Sequence, residues 1–103
     1  MTLEVKRDEL PFIISVLCRH AKKRVFLVHN TNPILFKVLY QLSVLFNRPS
    51  VDQTVKLSLD YVYAFELNMA ILDELENEFI PYEYNMLSKW NNMLQEALET
   101  WRD

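Results

Sequence analysis

The sequence of 103 residues contains no glycine, although average usage would supply about seven. This absence excludes the glycine-rich loops that bind phosphate, the nucleophile elbow of hydrolases and glycine-based hairpin turns. Cysteine is scarce as well, because Cys18 is the one residue of its type and cannot form an internal disulfide. We predict that Cys18 is a buried, unreactive thiol and that the protein is intracellular and cytoplasmic. Pairing of Cys18 with a second copy is the alternative.

Long hydrophobic runs are also missing. The run from Leu10 to Cys18 spans nine residues, whereas a membrane-spanning helix needs about 20. Acidic residues precede this run and basic residues follow it, which is the reverse of the flanks of a signal peptide. The sequence therefore predicts no membrane segment, and we assign the run to the buried face of a helix.

The residues that are present have an ordinary globular composition, with 50% apolar and 24% charged. A chain of this length can bury one hydrophobic core, so we predict a single domain over residues 1–103. The charge is unevenly distributed. Residues 1–51 carry eight Lys/Arg and three Asp/Glu (+5), whereas residues 52–103 carry three and eleven (−8). This asymmetry indicates a charged partner or two halves that attract each other. The alternative is that two surfaces are simply solvated unevenly.

The spacing of apolar residues predicts the secondary structure. The expected order is a strand at 2–6, a helix at 9–23 capped by Asp8, a strand at 25–28, a helix at 33–47, a strand at 53–58, a helix at 60–78 capped by Asp60 and a helix at 81–101. This order indicates a helix-rich α+β fold with about four helices and two or three short strands. An all-α fold is the alternative, because residues 51–79 also fit one long helix.

The two halves of the chain align without gaps at an offset of 52 residues. Few aligned residues are identical, but the order of strand, cap, helix, short extended piece and helix recurs. We therefore consider a duplicated motif, with residues 1–51 and 52–103 as similar halves and a groove between them. The alternative is that any helices and strands of ordinary length would align this well.

The helix at 33–47 is unusually apolar, since ten of the thirteen residues at 34–46 are apolar. Such a helix must be covered on most of its sides, by the rest of its domain or by a partner. Phe36 and Tyr40 on this helix are candidate partner-binding residues. Tyr82 and Tyr84 are further candidates, because tyrosine is a frequent anchor at protein interfaces.

A second candidate surface is basic. Arg19, Lys22 and Lys23 lie at the helical spacing i, i+3 and i+4, and Arg24 follows them. This cluster suits contacts with the phosphates of nucleic acid. The alternative is that the cations compensate the helix dipole and pair with the acidic half.

The sequence offers little to indicate catalysis, a metal or a cofactor, and we predict none of them. The histidines, His20 and His29, have no further ligand at the spacing of a metal site. The carboxylates between Asp73 and Glu83 are more typical of a solvated helix face. We predict a non-enzymatic protein-interaction module that binds a partner or itself through the apolar helix or the groove between the halves. The alternative is a small nucleic-acid-binding accessory protein that uses the basic cluster.

Overall fold

The computed structural model describes residues 1–28, 33–49, 51–77 and 80–100, with the backbone alone described for 23–28. The elements follow in the order β1 (Thr2–Lys6), a 3₁₀ turn (Arg7–Glu9), α1 (Leu10–Val28), α2 (Pro33–Asn47), β2 (Thr54–Ser58), α3 (Tyr61–Leu75) and α4 (Pro81–Glu99). Within the described ranges, four helices and one two-stranded antiparallel sheet form a helix-rich α+β fold, as the sequence predicts. The all-α alternative is wrong, because residues 54–58 are a strand.

The sheet is built from the two short segments in which apolar and polar residues alternate. β1 and β2 pair antiparallel, with Leu3 opposite Leu57 and Glu4 opposite Lys56. Leu3 and Leu57 are buried, whereas their polar neighbours along each strand are exposed. Each strand therefore turns one face to the core and one to solvent, which is the usual arrangement in antiparallel sheets.

Some of the helices begin where the proline and capping residues of the sequence predict, and others do not. Pro33 and Pro81 each occupy the first helical position, where the missing N–H of proline has no consequence. Asp60 precedes α3 with an extended backbone, but its side-chain oxygens accept no capping hydrogen bond. Asp8 lies inside the 3₁₀ turn, so its prediction as the cap of the first helix is wrong.

The predicted strand at 25–28 is also wrong, because α1 continues through it to Val28. A short apolar run cannot be assigned to strand or helix by periodicity alone. Good helix formers at positions 22–24 lead directly into this run, and neither proline nor glycine interrupts them. In the helix the backbone groups bond locally, whereas a third strand would need a neighbour in the sheet.

The core lies where the four helices meet the inner face of the sheet. Its buried apolar side chains form one cluster to which every helix and both strands contribute. The largest members that are almost completely buried are Leu10, Ile13, Leu17, Leu42, Leu67, Ile71, Leu87, Trp90 and Leu94.

The order strand–helix–helix occurs twice along the described chain. Glu4 lies opposite Lys56, which is the residue 52 positions after it, so the strand register is symmetric about equivalent residues. The buried positions of α2 and α4 match at the same offset and include the pairs Leu35/Leu87, Val38/Trp90 and Leu42/Leu94. Those of α1 and α3 match at 54 instead, as in Ile13/Leu67 and Leu17/Ile71. A common origin of the two halves stays a prediction.

Candidate functional site

α2 exposes an apolar stripe to solvent. Its residues Leu35, Val38 and Leu42 are buried, and they anchor one side of the helix in the core. Phe36 and Tyr40 lie on the other side with exposed fractions of 46% and 71%. Val44, which is exposed to 38%, continues the stripe at the same spacing of four residues. The domain itself therefore leaves one side of this highly apolar helix uncovered.

A groove adjoins this stripe. It lies between the second half of α2 and strand β2, and its volume is ≈ 380 Å³. Tyr40 and Val44 line it from the helix, Arg48 lines it just after the helix ends, and Lys56 and Ser58 line it from the strand. The groove thus combines an apolar wall, two basic side chains and the outer side of a β-strand. We define the α2–β2 groove by these five residues.

Other exposed aromatic side chains lie on α3 and α4. Tyr82 and Tyr84 in the first turn of α4 are exposed, and their role as contact residues stays a prediction. Tyr61, Phe65 and Met69 form an exposed stripe on α3 that sequence reasoning missed. The rings of Tyr61 and Phe65 stack with centroids 6.4 Å apart. Their spacing of four residues is the signal that could have revealed this stripe, but the alternation of residues 55–65 obscured it.

The basic cluster lies beside acidic residues. Arg19 and Lys22 are exposed on α1, but Arg19 Nε is 3.9 Å from Oε2 of Glu74, a carboxylate that is 2% exposed. The side chains of Lys23 and Arg24 are outside the described residues. Glu74 and its neighbour Asp73 belong to α3, so α1 meets the acidic half of the chain here. These contacts favour the pairing of opposite charges over a free phosphate-binding surface.

His20 takes part in the same contact between α1 and α3. Its Nδ1 lies 3.1 Å from Oδ2 of Asp73 and 3.7 Å from Oε1 of Glu74. His20 and Glu74 are buried, whereas Asp73 is about half-exposed. This arrangement suits a polar contact that fixes how the two helices cross. His29, the other histidine, lies outside the described residues.

Cys18 is exposed, which contradicts the prediction of a buried thiol. The apolar run that contains it is helical, and Leu17 on the preceding position is completely buried. Successive residues of a helix are turned by about 100°. Cys18 therefore falls just outside the buried stripe although its neighbours are apolar.

A second cavity lies at the end of the sheet, where Lys6 and Thr54 meet the chain that follows α2. Its volume is ≈ 520 Å³. Arg7 lines it and donates a hydrogen bond of 2.8 Å from Nη2 to the carbonyl oxygen of Phe46. The same guanidinium lies over the Phe46 ring, 5.9 Å from its centroid. Arg7 is thus held in a structural role that ties β1 to the end of α2.

The described residues hold no group of three or more His, Cys, Asp or Glu side chains that could bind a metal ion. Among the helices as far as they are described, none combines the length and the hydropathy needed to cross a membrane. Comparisons of the chain with family models, with curated proteins and with solved structures find no match. Function must therefore be argued from the surfaces described above.

Proposed function

We propose that the protein is a non-enzymatic interaction module that binds a protein partner, or a second copy of itself, through the exposed face of α2. The observation that carries the proposal is the stripe of Phe36, Tyr40 and Val44 on a helix whose opposite face is fixed in the core. Large apolar side chains that adjoin one another at the surface are typical of interaction sites. Aromatic residues are also the commonest anchors of protein interfaces.

The test is a variant in which Phe36→Glu and Tyr40→Glu are combined. Both positions are exposed, so we expect the free energy of unfolding to change by no more than about 0.5 kcal/mol per substitution. Association should be lost, because two charges would be placed where an apolar contact is needed. Sedimentation velocity over a concentration series measures self-association, and affinity capture from extracts of the producing cells measures partner binding.

Lys37→Glu is the matched control, since Lys37 is exposed on the same helix but outside the stripe. It introduces a negative charge and should leave association intact. Unfolding of the Phe36→Glu/Tyr40→Glu variant would assign the two side chains to the core instead. Association that is equal in all three proteins would refute the proposal.

The nucleic-acid hypothesis stays as the second proposal, with Arg19, Lys22, Lys23 and Arg24 as its residues. It requires binding that weakens steeply with salt, because phosphate contacts release counterions. Fluorescence anisotropy of labelled DNA and RNA at low and near-physiological salt measures this. Substitution of both Lys22→Glu and Lys23→Glu should abolish any such binding, and unchanged affinity would refute the assignment.

A further inference from the structure

We infer that the α2–β2 groove binds an extended segment of a partner protein that adds as a third strand to β2 and carries an acidic residue opposite Lys56. The inference rests on the proposed function in so far as Tyr40 and Val44 belong to both surfaces. It goes further in naming the mode of binding, the backbone groups that take part and the charge of the partner.

The first step is the direction of the backbone groups of β2. The ladder is bounded by hydrogen bonds from Leu59 N–H to Met1 O (2.9 Å) and from Arg7 N–H to Gln53 O (2.8 Å). In an antiparallel pair, hydrogen-bonded and non-hydrogen-bonded residues alternate. The odd-numbered residues of β2 therefore bond to β1, and the N–H and C=O groups of the even-numbered residues 54, 56 and 58 point away from it.

The second step is that this outer edge is open. Within the described part of the chain, no backbone hydrogen bond from outside the ladder reaches Thr54, Lys56 or Ser58. Lys56, Leu57 and Ser58 line the α2–β2 groove, so the groove runs along β2. An open edge with three donors and three acceptors is the template that strand addition uses.

The third step is the apolar wall of the groove. Tyr40 and Val44 are exposed on α2 and border the groove together with Leu57, the inward-facing residue of β2. Side chains on one face of an added strand would pack against this wall, while those on the other face would stay in solvent. The groove also contains Gln41, whose buried Oε1 has no hydrogen-bond partner among the described residues.

The fourth step identifies the charge of the occupant. Arg48 and Lys56 are both exposed at the groove, so it favours a segment with a negative side chain. On the side of β2 that faces β1, Lys56 already lies opposite a carboxylate, Glu4. The added strand would place a second carboxylate on the other side of Lys56. A cross-strand pair of opposite charges is favourable, and a pair of like charges is unfavourable.

The same charge argues against a second copy as the occupant. Two β2 strands that paired antiparallel over all five residues would place Lys56 opposite Lys56 of the partner subunit. Lysine on an exposed edge is a common means of preventing such self-pairing. A partner strand with glutamate or aspartate at that point removes the repulsion.

The test uses the full chain, labelled with ¹⁵N, and a capped synthetic heptapeptide, Val-Thr-Val-Glu-Val-Thr-Val. We expect the amide protons of Lys56 and Ser58 to exchange fast in the free protein and at least about tenfold more slowly at saturating peptide. Chemical shifts should change along β2 and the facing side of α2. Unchanged exchange of these two amides at millimolar peptide would overturn the inference.

Lys56→Pro tests the backbone contact, because it removes an outward N–H at an edge position that tolerates proline. Because this substitution also removes the lysine charge, Lys56→Ala is the matched control: it loses the same charge but keeps the N–H. We expect Lys56→Pro to bind the peptide about five- to tenfold more weakly than Lys56→Ala does, the effect of one net hydrogen bond. Equal weakening by both substitutions would contradict addition at β2.

Charge reversal supplies a test that does not depend on proline. The double variant Glu4→Lys/Lys56→Glu keeps an opposite-charge pair inside the ladder but makes the outer edge acidic. It should bind the glutamate peptide about two- to fivefold more weakly and bind a peptide with lysine in place of glutamate correspondingly more tightly. If the two peptides keep their original order of affinity, the inference is overturned.

Two results separate this inference from the proposed function. Should Phe36→Glu/Tyr40→Glu abolish partner association while Lys56→Pro leaves it unchanged, the interaction module stands and strand addition is wrong. Should the amides of Lys56 and Ser58 already be protected in the free protein, with a molecular mass of two chains, the occupant is a second copy and the acidic segment is wrong.

Discussion

Glu9 is a buried carboxylate that ties the beginning of the described chain to α4. Its Oε2 accepts a hydrogen bond of 2.8 Å from Lys89 Nζ, and its Oε1 accepts one of 3.1 Å from Trp90 Nε1. A buried charge is tolerated when it is paired and hydrogen-bonded, and Glu9 meets both conditions. The indole N–H of the almost completely buried Trp90 depends on this acceptor.

Glu9→Ala should lower the free energy of unfolding by about 1–3 kcal/mol, because it leaves the indole N–H of Trp90 buried without an acceptor. Glu9→Gln should cost less, since its amide oxygen can still accept that hydrogen bond. Urea unfolding followed by circular dichroism measures both. Glu4→Ala on the exposed face of β1 is the control, and a loss as large at Glu4 as at Glu9 would contradict the role of the contact.

The exposure of Cys18 has a direct chemical consequence. One thiol per chain should react with a disulfide reagent such as Ellman's without denaturant, at a rate within about tenfold of that in urea, because exposure limits thiol chemistry. Cys18→Ser is the blank for this assay. A thiol that reacts after unfolding but not before would show that Cys18 is protected in the folded chain.

At the scale of elements, substitutions on the two faces of α2 should differ in how much they lower the free energy of unfolding. Leu42 is completely buried, whereas Tyr40, two positions away, is largely exposed. Leu42→Ala should lower the free energy of unfolding by about 2–5 kcal/mol through lost burial and an internal cavity. Tyr40→Ala should change it by no more than about 0.5 kcal/mol. Chemical denaturation of both variants measures the difference, and similar losses would place Tyr40 in the core.

The elements that the sequence predicts well are those with a strong local signal. Proline at 33 and at 81 marks the start of α2 and α4, and alternation marks both strands. The strand predicted at 25–28 is wrong because helix and strand compete for a short apolar run, and the local sequence that precedes it favours the helix.

The candidate site is predictable only in part. Leu35, Val38 and Leu42 recur at helical spacing and so share one face of α2. Phe36 and Tyr40 must then lie on another face. The α2–β2 groove is not predictable in this way, because it depends on how the helix and the strand pack. The sequence between α2 and β2 carries no pattern that specifies their relative position.

At the scale of the whole molecule, the order strand, helix, helix recurs, and several positions 52 residues apart in α2 and α4 are both buried. Leu35 and Leu87 occupy matching buried positions of α2 and α4. Leu35→Ala and Leu87→Ala should therefore lower the free energy of unfolding by similar amounts, about 2–5 kcal/mol each. Urea unfolding measures them. A difference of more than about 2 kcal/mol would show that the two halves of the core pack differently despite their similar order.

The pairing of β1 with β2 sets the earliest time during synthesis at which the sheet can form. Thr2 pairs with Ser58, which is synthesised 56 residues later. At roughly 5–20 residues per second on the ribosome, that delay lasts roughly 3–11 s. α1 and α2 consist of local contacts and can form during it, whereas Leu3 and Val5 stay without cover. During synthesis the sheet can therefore close only after α1 and α2 have been made, although before α3 and α4, and until then the edge of β1 can pair with another chain.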